Sequence, residues 1–308
     1  MKRIEGLDQM PELKGSVVTD GMFDGVHLGH QQILQKLVQD AHKYKVPSVL
    51  VTYWPHPRHI LSPKQEKLQL LTSLDEKAEM LEQQGLDYLL ILPFTHSFSK
   101  LSHIRFTEEI LVKKLHTRKL IVGYDHRFGK DRKGDMDYLN LAGQEFGFEV
   151  RQIGKQEVED IAISSTKIRY ALQNHLVETA AQFLGRPYAL LGKVVEGNKR
   201  GRTIGFPTAN IEPDYADKLI PADGVYATRI WMDRVPYSAM TNIGFRPTVD
   251  GKTRKIETHL IDFEGDLYGK NLRLEFIAPI REEMKFASLD ELKIQLQHDQ
   301  QMALKLLF

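Results

Sequence analysis

Cysteine is absent from this 308-residue chain. Disulfides, thiolate catalysis and zinc–sulfur sites are therefore excluded, and the absence fits a reducing compartment, so a cytoplasmic location is the expectation. Net charge is nearly absent too: 42 basic side chains against 41 acidic ones give +1 with histidine neutral. That balance supplies no field to draw the chain to nucleic acid or to a membrane surface. No stretch is apolar for long enough to span a bilayer. The segment from Met1 to Gly15 is mixed and charged, without the apolar core of a signal peptide. Internal repeats, low-complexity tracts and the phosphate-binding loop G-x-x-x-x-G-K-[ST] are also missing. What the chain does have, 42% hydrophobic residues over this length, is enough for one large domain or two ordinary ones.

The first half alternates apolar runs with helical stretches. Strands are predicted at Val17–Thr19, Ser48–Tyr53, Tyr88–Pro93, Lys119–Tyr124 and Phe148–Ile153. A capping box at Ser73-Leu74-Asp75-Glu76 starts a helix that Gly85 ends. Alternation of this kind predicts a doubly wound parallel sheet, which binds ligands at the carboxyl ends of its strands. The pattern changes near Leu184-Gly185-Arg186-Pro187. Beyond it the chain reads as strands at Tyr188–Val195, Gly224–Met232, Tyr237–Ile243, Lys255–Phe263 and Leu272–Pro279, followed by a helix from the capping box Ser288-Leu289-Asp290-Glu291. Leu289, Leu292, Leu296, Ala303 and Leu307 would form the apolar face of that helix. The fold class expected is α/β plus β: a parallel-sheet domain over residues 1–185 and a small antiparallel β-barrel with a terminal helix over 186–308.

Between the first strand and its helix stands Gly21-Met22-Phe23-Asp24-Gly25-Val26-His27-Leu28-Gly29-His30. A helix start there points backbone N–H groups and the positive end of the helix dipole at whatever lies beyond the strand, which favours an anion. Two imidazoles beside that anion can donate to phosphate oxygens. Taken alone, H-x-G-H is equally a helix cap with two surface histidines; its position after a strand favours the chemical reading. Three further segments sit at strand ends or a helix start. Tyr53-Trp54-Pro55-His56-Pro57 shapes a loop. Gly123-Tyr124-Asp125-His126-Arg127-Phe128-Gly129 offers Asp125 to a ribose hydroxyl or a metal, or to a turn. Ile163-Ser164-Ser165-Thr166-Lys167-Ile168-Arg169 enters a helix through hydroxyls, as a cap or as a phosphate contact.

In the second half, Gly197 to Asn210 is a glycine-interrupted basic loop carrying Lys199, Arg200, Gly201, Arg202 and Gly205, and it runs into a polar strand. Thr208 and Asn210, two apart, present oxygens on one face and suit magnesium arriving with nucleotide phosphates; the loop also reads as a basic surface hairpin. In Lys255-Ile256-Glu257-Thr258-His259-Leu260, Glu257 and His259 share the face opposite Ile256, Thr258 and Leu260. A carboxylate so placed can accept a hydroxyl proton, or be an ordinary solvated residue.

H-x-G-H after a strand resembles the nucleotidyltransferase superfamily signature. The four first-half segments, in order, resemble G-x-F-D-G-V-H-x-G-H, P-H-P, G-x-D/N-F-x-F-G and S-S-T-x-I-R of the prokaryotic bifunctional riboflavin kinase/FAD synthetases. One departure is His126, where Phe is usual, which bears on local packing or flavin contact. The second half resembles the riboflavin kinase pattern through Gly201 to Asn210, Gly224-Val225-Tyr226, Asn242 to Thr248, Glu257 to Phe263, Tyr268-Gly269, Arg281 and Lys285-Phe286.

The resemblance implies two reactions. Riboflavin is phosphorylated by ATP to FMN, with Glu257 as base and Thr208 and Asn210 holding Mg2+. FMN then attacks the α-phosphorus of a second ATP to give FAD and pyrophosphate, with His27 and His30 stabilising the transferring phosphoryl group. Gly21, Phe23, Asp24, Gly25, Asp125, Ser164, Ser165, Thr166 and Arg169 would line the first nucleotide site; Lys199, Gly201, Arg202, Gly205 and Arg281 would line the second. Small-molecule substrates are the expected partners, with no nucleic acid, no membrane and a weak homo-oligomer left open. Other readings are a chain with one active module, a tRNA-binding ligase with the same H-x-G-H signature, or a flavin- or RNA-binding regulator on this fold.

Overall fold

The structure is a computed structural model, described over residues 1–62, 67–124, 126–154, 163–197, 201, 204–248 and 251–308. The chain divides into two compact units, Met1–Ser164 and Ser165–Phe308.

The first unit is built on a six-stranded sheet in the order β1-β4-β3-β2-β5-β6. Its strands are β1 (Lys2–Glu5), β2 (Ser16–Asp20), β3 (Ser48–Trp54), β4 (Tyr88–Pro93), β5 (Thr117–Gly123) and β6 (Glu149–Ile153). Every neighbouring pair is parallel. Side chains alternate between two cores. Val17, Leu50, Leu89 and Ile91 face α1 (Leu28–Tyr44) through Leu34 and Leu37, together with Leu81. Val18, Val49, Val51, Leu90 and Leu92 face Phe106, Ile110, Leu111, Leu139 and Ala142. The sheet is covered on both sides, as the unbroken apolar runs of its strands require. The predicted strands are present, with ends shifted by a residue or two. Strand β1 went unpredicted because its pattern, Lys2-Arg3-Ile4-Glu5, is polar at a sheet edge.

The strand order reverses between β2 and β5, whose outer neighbours are β3 and β6. The crevice at the carboxyl ends of these two strands is where an open α/β sheet accepts a ligand. It is reached from Asp20 on one side and from Gly123 on the other.

The second unit opens with two helices, Ser165–Gln173 and Val177–Leu184. A closed barrel of β7 (Tyr188–Val195), β8 (Ala209–Pro213), β9 (Gly224–Met232), β10 (Val235–Thr248), β11 (Gly251–Leu260) and β12 (Asn271–Arg281) follows. Its pairs are all antiparallel, in the cyclic order β10-β11-β8-β7-β12-β9. Closure leaves no free edge to aggregate. Thr228, Thr241 and Thr258, all fully buried, link hydroxyls across β9, β10 and β11 at 2.7 and 2.9 Å. The two leading helices pack on the barrel: the Leu172 carbonyl accepts from the Ala222 N–H at 2.9 Å, and Tyr226 Oη lies 3.2 Å from His175 Nδ1.

The terminal helix, Leu289–Leu307, packs Ala303 with Leu296, Leu304 and Leu307 against Phe206, Ala227, Met240 and Ile261. Two expectations about this helix are corrected. Leu289 is 67% exposed and takes no part in the packed face. Ser288 does accept from the Glu291 N–H, but the Glu291 carboxylate reaches past it to the Ala287 N–H, so the reciprocal half of the box is displaced by one residue.

Candidate active sites

In the first unit, the turn after β2 folds back on itself through Phe23 (φ 47°), Gly25 (φ 84°) and Val26 (φ 39°). Two of these are non-glycine residues in the left-handed region, a conformation held only where the surroundings fix it. Here they do. The buried Asp24 carboxylate accepts from the backbone N–H groups of Leu71 and Thr72 at 3.0–3.1 Å and from the Thr72 hydroxyl at 3.2 Å. The Gly25 N–H in turn donates to Thr72 Oγ1 at 3.1 Å. Asp24 is thus committed to shaping the turn.

His27 caps α1, and its Nδ1 accepts from the His30 N–H at 3.3 Å. With Nδ1 an acceptor, a neutral His27 carries its proton on Nε2, where it is a hydrogen-bond donor. The two imidazoles stack with centroids 3.6 Å apart and planes 16° from parallel, and Phe23 backs His30 at 4.6 Å. Burial, then the neighbouring His27 and Lys77, pushes the His30 pKa well below its ordinary value. His30 is therefore neutral at pH 7, a group that can donate a hydrogen bond rather than a fixed cation.

At the same strand edge, Asp20 accepts from Tyr53 Oη at 2.8 Å, and its other oxygen lies 3.0 Å from His126 Nε2. This explains His126 in a position where an aromatic is usual: it keeps a ring, stacked 5.5 Å from Phe128, and adds a polar contact to a buried carboxylate. Asp125, beside it, lies outside the described residues. Sequence reasoning missed Lys77, which is 1% exposed on α3 (Leu74–Gln83; α2 is Pro57–Leu61). Its spacing was informative: Leu74, Lys77 and Leu81, buried, and Ala78, partly buried, form the i, i+3, i+4, i+7 inner stripe of that helix. A groove of about 520 Å³ between α1 and α3 is lined by six glutamines, with Leu28 and Val38, and has no charged wall for phosphate chemistry.

In the second unit, β11 and β8 bring Glu257 directly opposite Asn210, while β10 places Asn242 on the other side of Glu257. Cross-strand partners share a face, so these three polar side chains form one row. The Asn210 carboxamide lies over Gly197, where an added Cβ would collide with it, and Gly201 stands close under the Phe206 carbonyl for the same reason. The loop's glycines therefore permit close backbone approach, with Gly205 at φ 85° turning the chain. Thr208 lines a cleft of about 70 Å³ with Thr258, Asp266 and Tyr268. His259 is buried, and its Nδ1 lies 2.8 Å from the Pro207 carbonyl, fixing the segment that leads to Thr208. Lys199 and Arg202 lie outside the described residues.

The Arg281 guanidinium grips the buried Asp299 of the terminal helix in a fork with N–O distances of 2.8–3.0 Å. Ser164 closes the first unit; Ser165 begins a helix in the second, with Thr166 exposed and Arg169 partly buried.

Comparison with known proteins matches both halves of the chain. The FAD synthetase family model matches residues 9–167, and the riboflavin kinase family model matches residues 184–307. The curated bifunctional riboflavin kinase/FMN adenylyltransferase of Escherichia coli K12 is 39% identical over 301 residues, 97% of this chain and 95% of that protein. This chain belongs to the bifunctional riboflavin kinase/FMN adenylyltransferase family. The Bacillus subtilis member of the family is 37% identical over 94% of this chain and 92% of its own length. A crystal structure described as a macrolide-efflux protein from Streptococcus pneumoniae has the same fold, with a TM-score of 0.88 at 32% identity and 98% coverage of both chains. Among the described residues of this chain, no helix is long and apolar enough to cross a membrane.

Proposed function

We propose that the chain makes FMN from riboflavin and ATP, and then FAD from FMN and a second ATP with release of pyrophosphate. The reading is supported by one observation: each of the two matched family regions holds a polar constellation, the stacked His27–His30 pair in one and the Glu257–Asn210 row in the other. We place the division of labour near Gly185, with adenylyl transfer assigned to residues 1–185 and the kinase to 186–308.

In the kinase reaction, Glu257 takes the proton of the ribityl hydroxyl as it attacks the γ-phosphorus of ATP. Thr208 and Asn210 are the residues that would hold Mg2+. Neutral oxygens suit a cation that arrives with nucleotide phosphates rather than one held by an all-protein cage, and among the described residues no group of three His, Cys, Asp or Glu could hold a metal. When bound, the ion would neutralise charge on the phosphates. The rest of the catalysis is positioning, which the glycine-rich loop provides by letting backbone approach the nucleotide.

In the adenylyl transfer, FMN supplies its own phosphate oxygen, so no protein nucleophile is required. The oxygen bonds to the α-phosphorus, and the bond to the β-phosphate bridging oxygen breaks. His27 donates from Nε2 and His30 from its ring N–H, stabilising charge that grows in the transition state. Gly21, Phe23 and Gly25 keep the turn open at the switch point, and Asp24 holds it in shape. Asp125, Ser164, Ser165, Thr166 and Arg169 are assigned to the nucleotide by the family pattern. A time course with riboflavin, ATP and magnesium, resolving the flavins by chromatography, tests the reading: FMN should appear first and FAD after it. A chain that forms neither product is not this enzyme, and a chain that stops at FMN has only the kinase.

A further inference from the structure

Lys77 has a place in the fold that packing alone does not account for. It occupies the inner stripe of α3, 1% exposed, where a methionine would fill similar volume without a charge. A buried ammonium costs stability unless it is paired. Among the described residues no carboxylate oxygen lies within 4.0 Å of it. The nearest acid by electrostatic effect is Asp24, whose oxygens already accept from Leu71 and Thr72. The other contact is the face of Trp54 at the end of β3, with Nζ 5.8 Å from the ring centroid. An indole face offsets only part of the cost of a buried cation. On the side of α1, Lys77 is close enough to His30 to depress its protonation.

We infer that Lys77 is a phosphate-binding group of the adenylyl-transfer site, a buried cation held beside the His27–His30 pair to receive the phosphates of ATP and the departing pyrophosphate. The inference rests on the adenylyl-transfer reading and extends it to a group that the histidine motif does not contain. A cation in a dry setting attracts a phosphate more strongly than one in water, because less screening intervenes. The same burial makes its charge responsive. Desolvation, opposed by Asp24, lowers the Lys77 pKa from 10.5 to about 8, and an arriving phosphate raises it again. The titratable groups coupled to it are Asp24 from the turn and His30 from α1; Glu76 precedes it on its own helix, its carboxylate held by the Ser73 N–H at 2.7 Å. His30, with its lowered pKa, stays neutral through the alkaline range.

The test uses the full chain. With FMN as substrate, the KM for ATP should rise about tenfold between pH 7 and pH 9 as the ammonium deprotonates. Lys77→Met should raise that KM roughly tenfold or more at pH 7 and abolish its change with pH, while FMN formation from riboflavin proceeds at the parent rate. Binding of inorganic pyrophosphate, measured by calorimetry on the parent and on Lys77→Met, gives a readout independent of turnover and should weaken by a similar factor. A folded Met variant that keeps the parent's KM, pH profile and pyrophosphate affinity overturns the inference. If the variant does not fold, a KM for ATP that stays flat from pH 7 to pH 9 in the parent overturns it instead. If the parent forms no FAD, the adenylyl-transfer reading itself has failed, and an unchanged pyrophosphate affinity in the variant then removes Lys77 as a phosphate group as well.

Discussion

Alanine at His27 or at His30 removes a donor from a stacked pair whose centroids are 3.6 Å apart. Loss of one donor aimed at developing charge costs roughly 2.7–4 kcal/mol, so FAD formation from FMN should fall on the order of a hundredfold or more. FMN formation from riboflavin should persist in the same sample, and a chromatographic assay of both products reads the two outcomes together. Equal loss of both activities in a folded variant would argue against separate chemistry. Lys77 adds a stability prediction of definite sign. Its pKa in the folded chain, about 8, lies below the 10.5 of the free side chain, so between these values the unfolded chain binds more protons. Stability therefore rises with pH across that window, and the cost of the buried charge is fully present below about pH 8. Lys77→Met should raise the melting temperature at pH 7, and the gain should shrink as the pH approaches 10. An unchanged or lower melting temperature at pH 7 would mean that the ammonium is stabilised by something other than Asp24 and Trp54.

Among the elements, the terminal helix is fastened to β12 by the Arg281–Asp299 fork, with Asp299 only 1% exposed and Gln295 also donating to it at 2.8 Å. Breaking a buried pair by removing one partner costs about 3–5 kcal/mol, because the remaining charge stays buried. Arg281→Ala should destabilise the second unit by that amount in chemical denaturation; a change under about 0.5 kcal/mol is what an exposed, unengaged arginine would give. The strands and their faces were legible in the sequence because burial on both sides of a sheet writes continuous apolar runs, as in Ser48–Trp54 and Tyr88–Pro93. Asp299 was not legible, since an acid on a helix reads as solvent-facing until its partner from another element is known. The same holds for Asp24, where spacing showed a turn but could not show that its carboxylate is spent on Leu71 and Thr72. Lys77 was half legible: its position in the stripe was visible, its burial was not. The H-x-G-H helix start and the strand that carries Glu257 could be read because both are written in short local spacing. The row that joins Glu257 to Asn210 and Asn242 is set by barrel register, which no local pattern specifies.

For the whole molecule, the two helices at Ser165–Gln173 and Val177–Leu184 belong by packing with the barrel, through Leu172, His175 and Tyr226. Desolvation raises the pKa of the Tyr226 phenol, so it remains a neutral donor to the Ala222 carbonyl at 2.6 Å. A fragment starting at residue 186 should still phosphorylate riboflavin, and one starting at residue 165 should melt at a higher temperature with the same turnover. Equal melting temperatures would show that the helices contribute nothing to the barrel.

The measurement that tests the central claim most directly mixes two full-length variants, His27→Ala and Glu257→Gln, in riboflavin, ATP and magnesium. Alone, His27→Ala should accumulate FMN without FAD. Alone, Glu257→Gln should leave riboflavin unconverted, since loss of a general base removes roughly a hundred- to ten-thousandfold of rate, yet should turn supplied FMN into FAD. Together they should restore FAD formation from riboflavin. A mixture that makes no FAD although each variant is folded, or a Glu257→Gln chain that makes FMN at the parent rate, would contradict two independent sites in one chain.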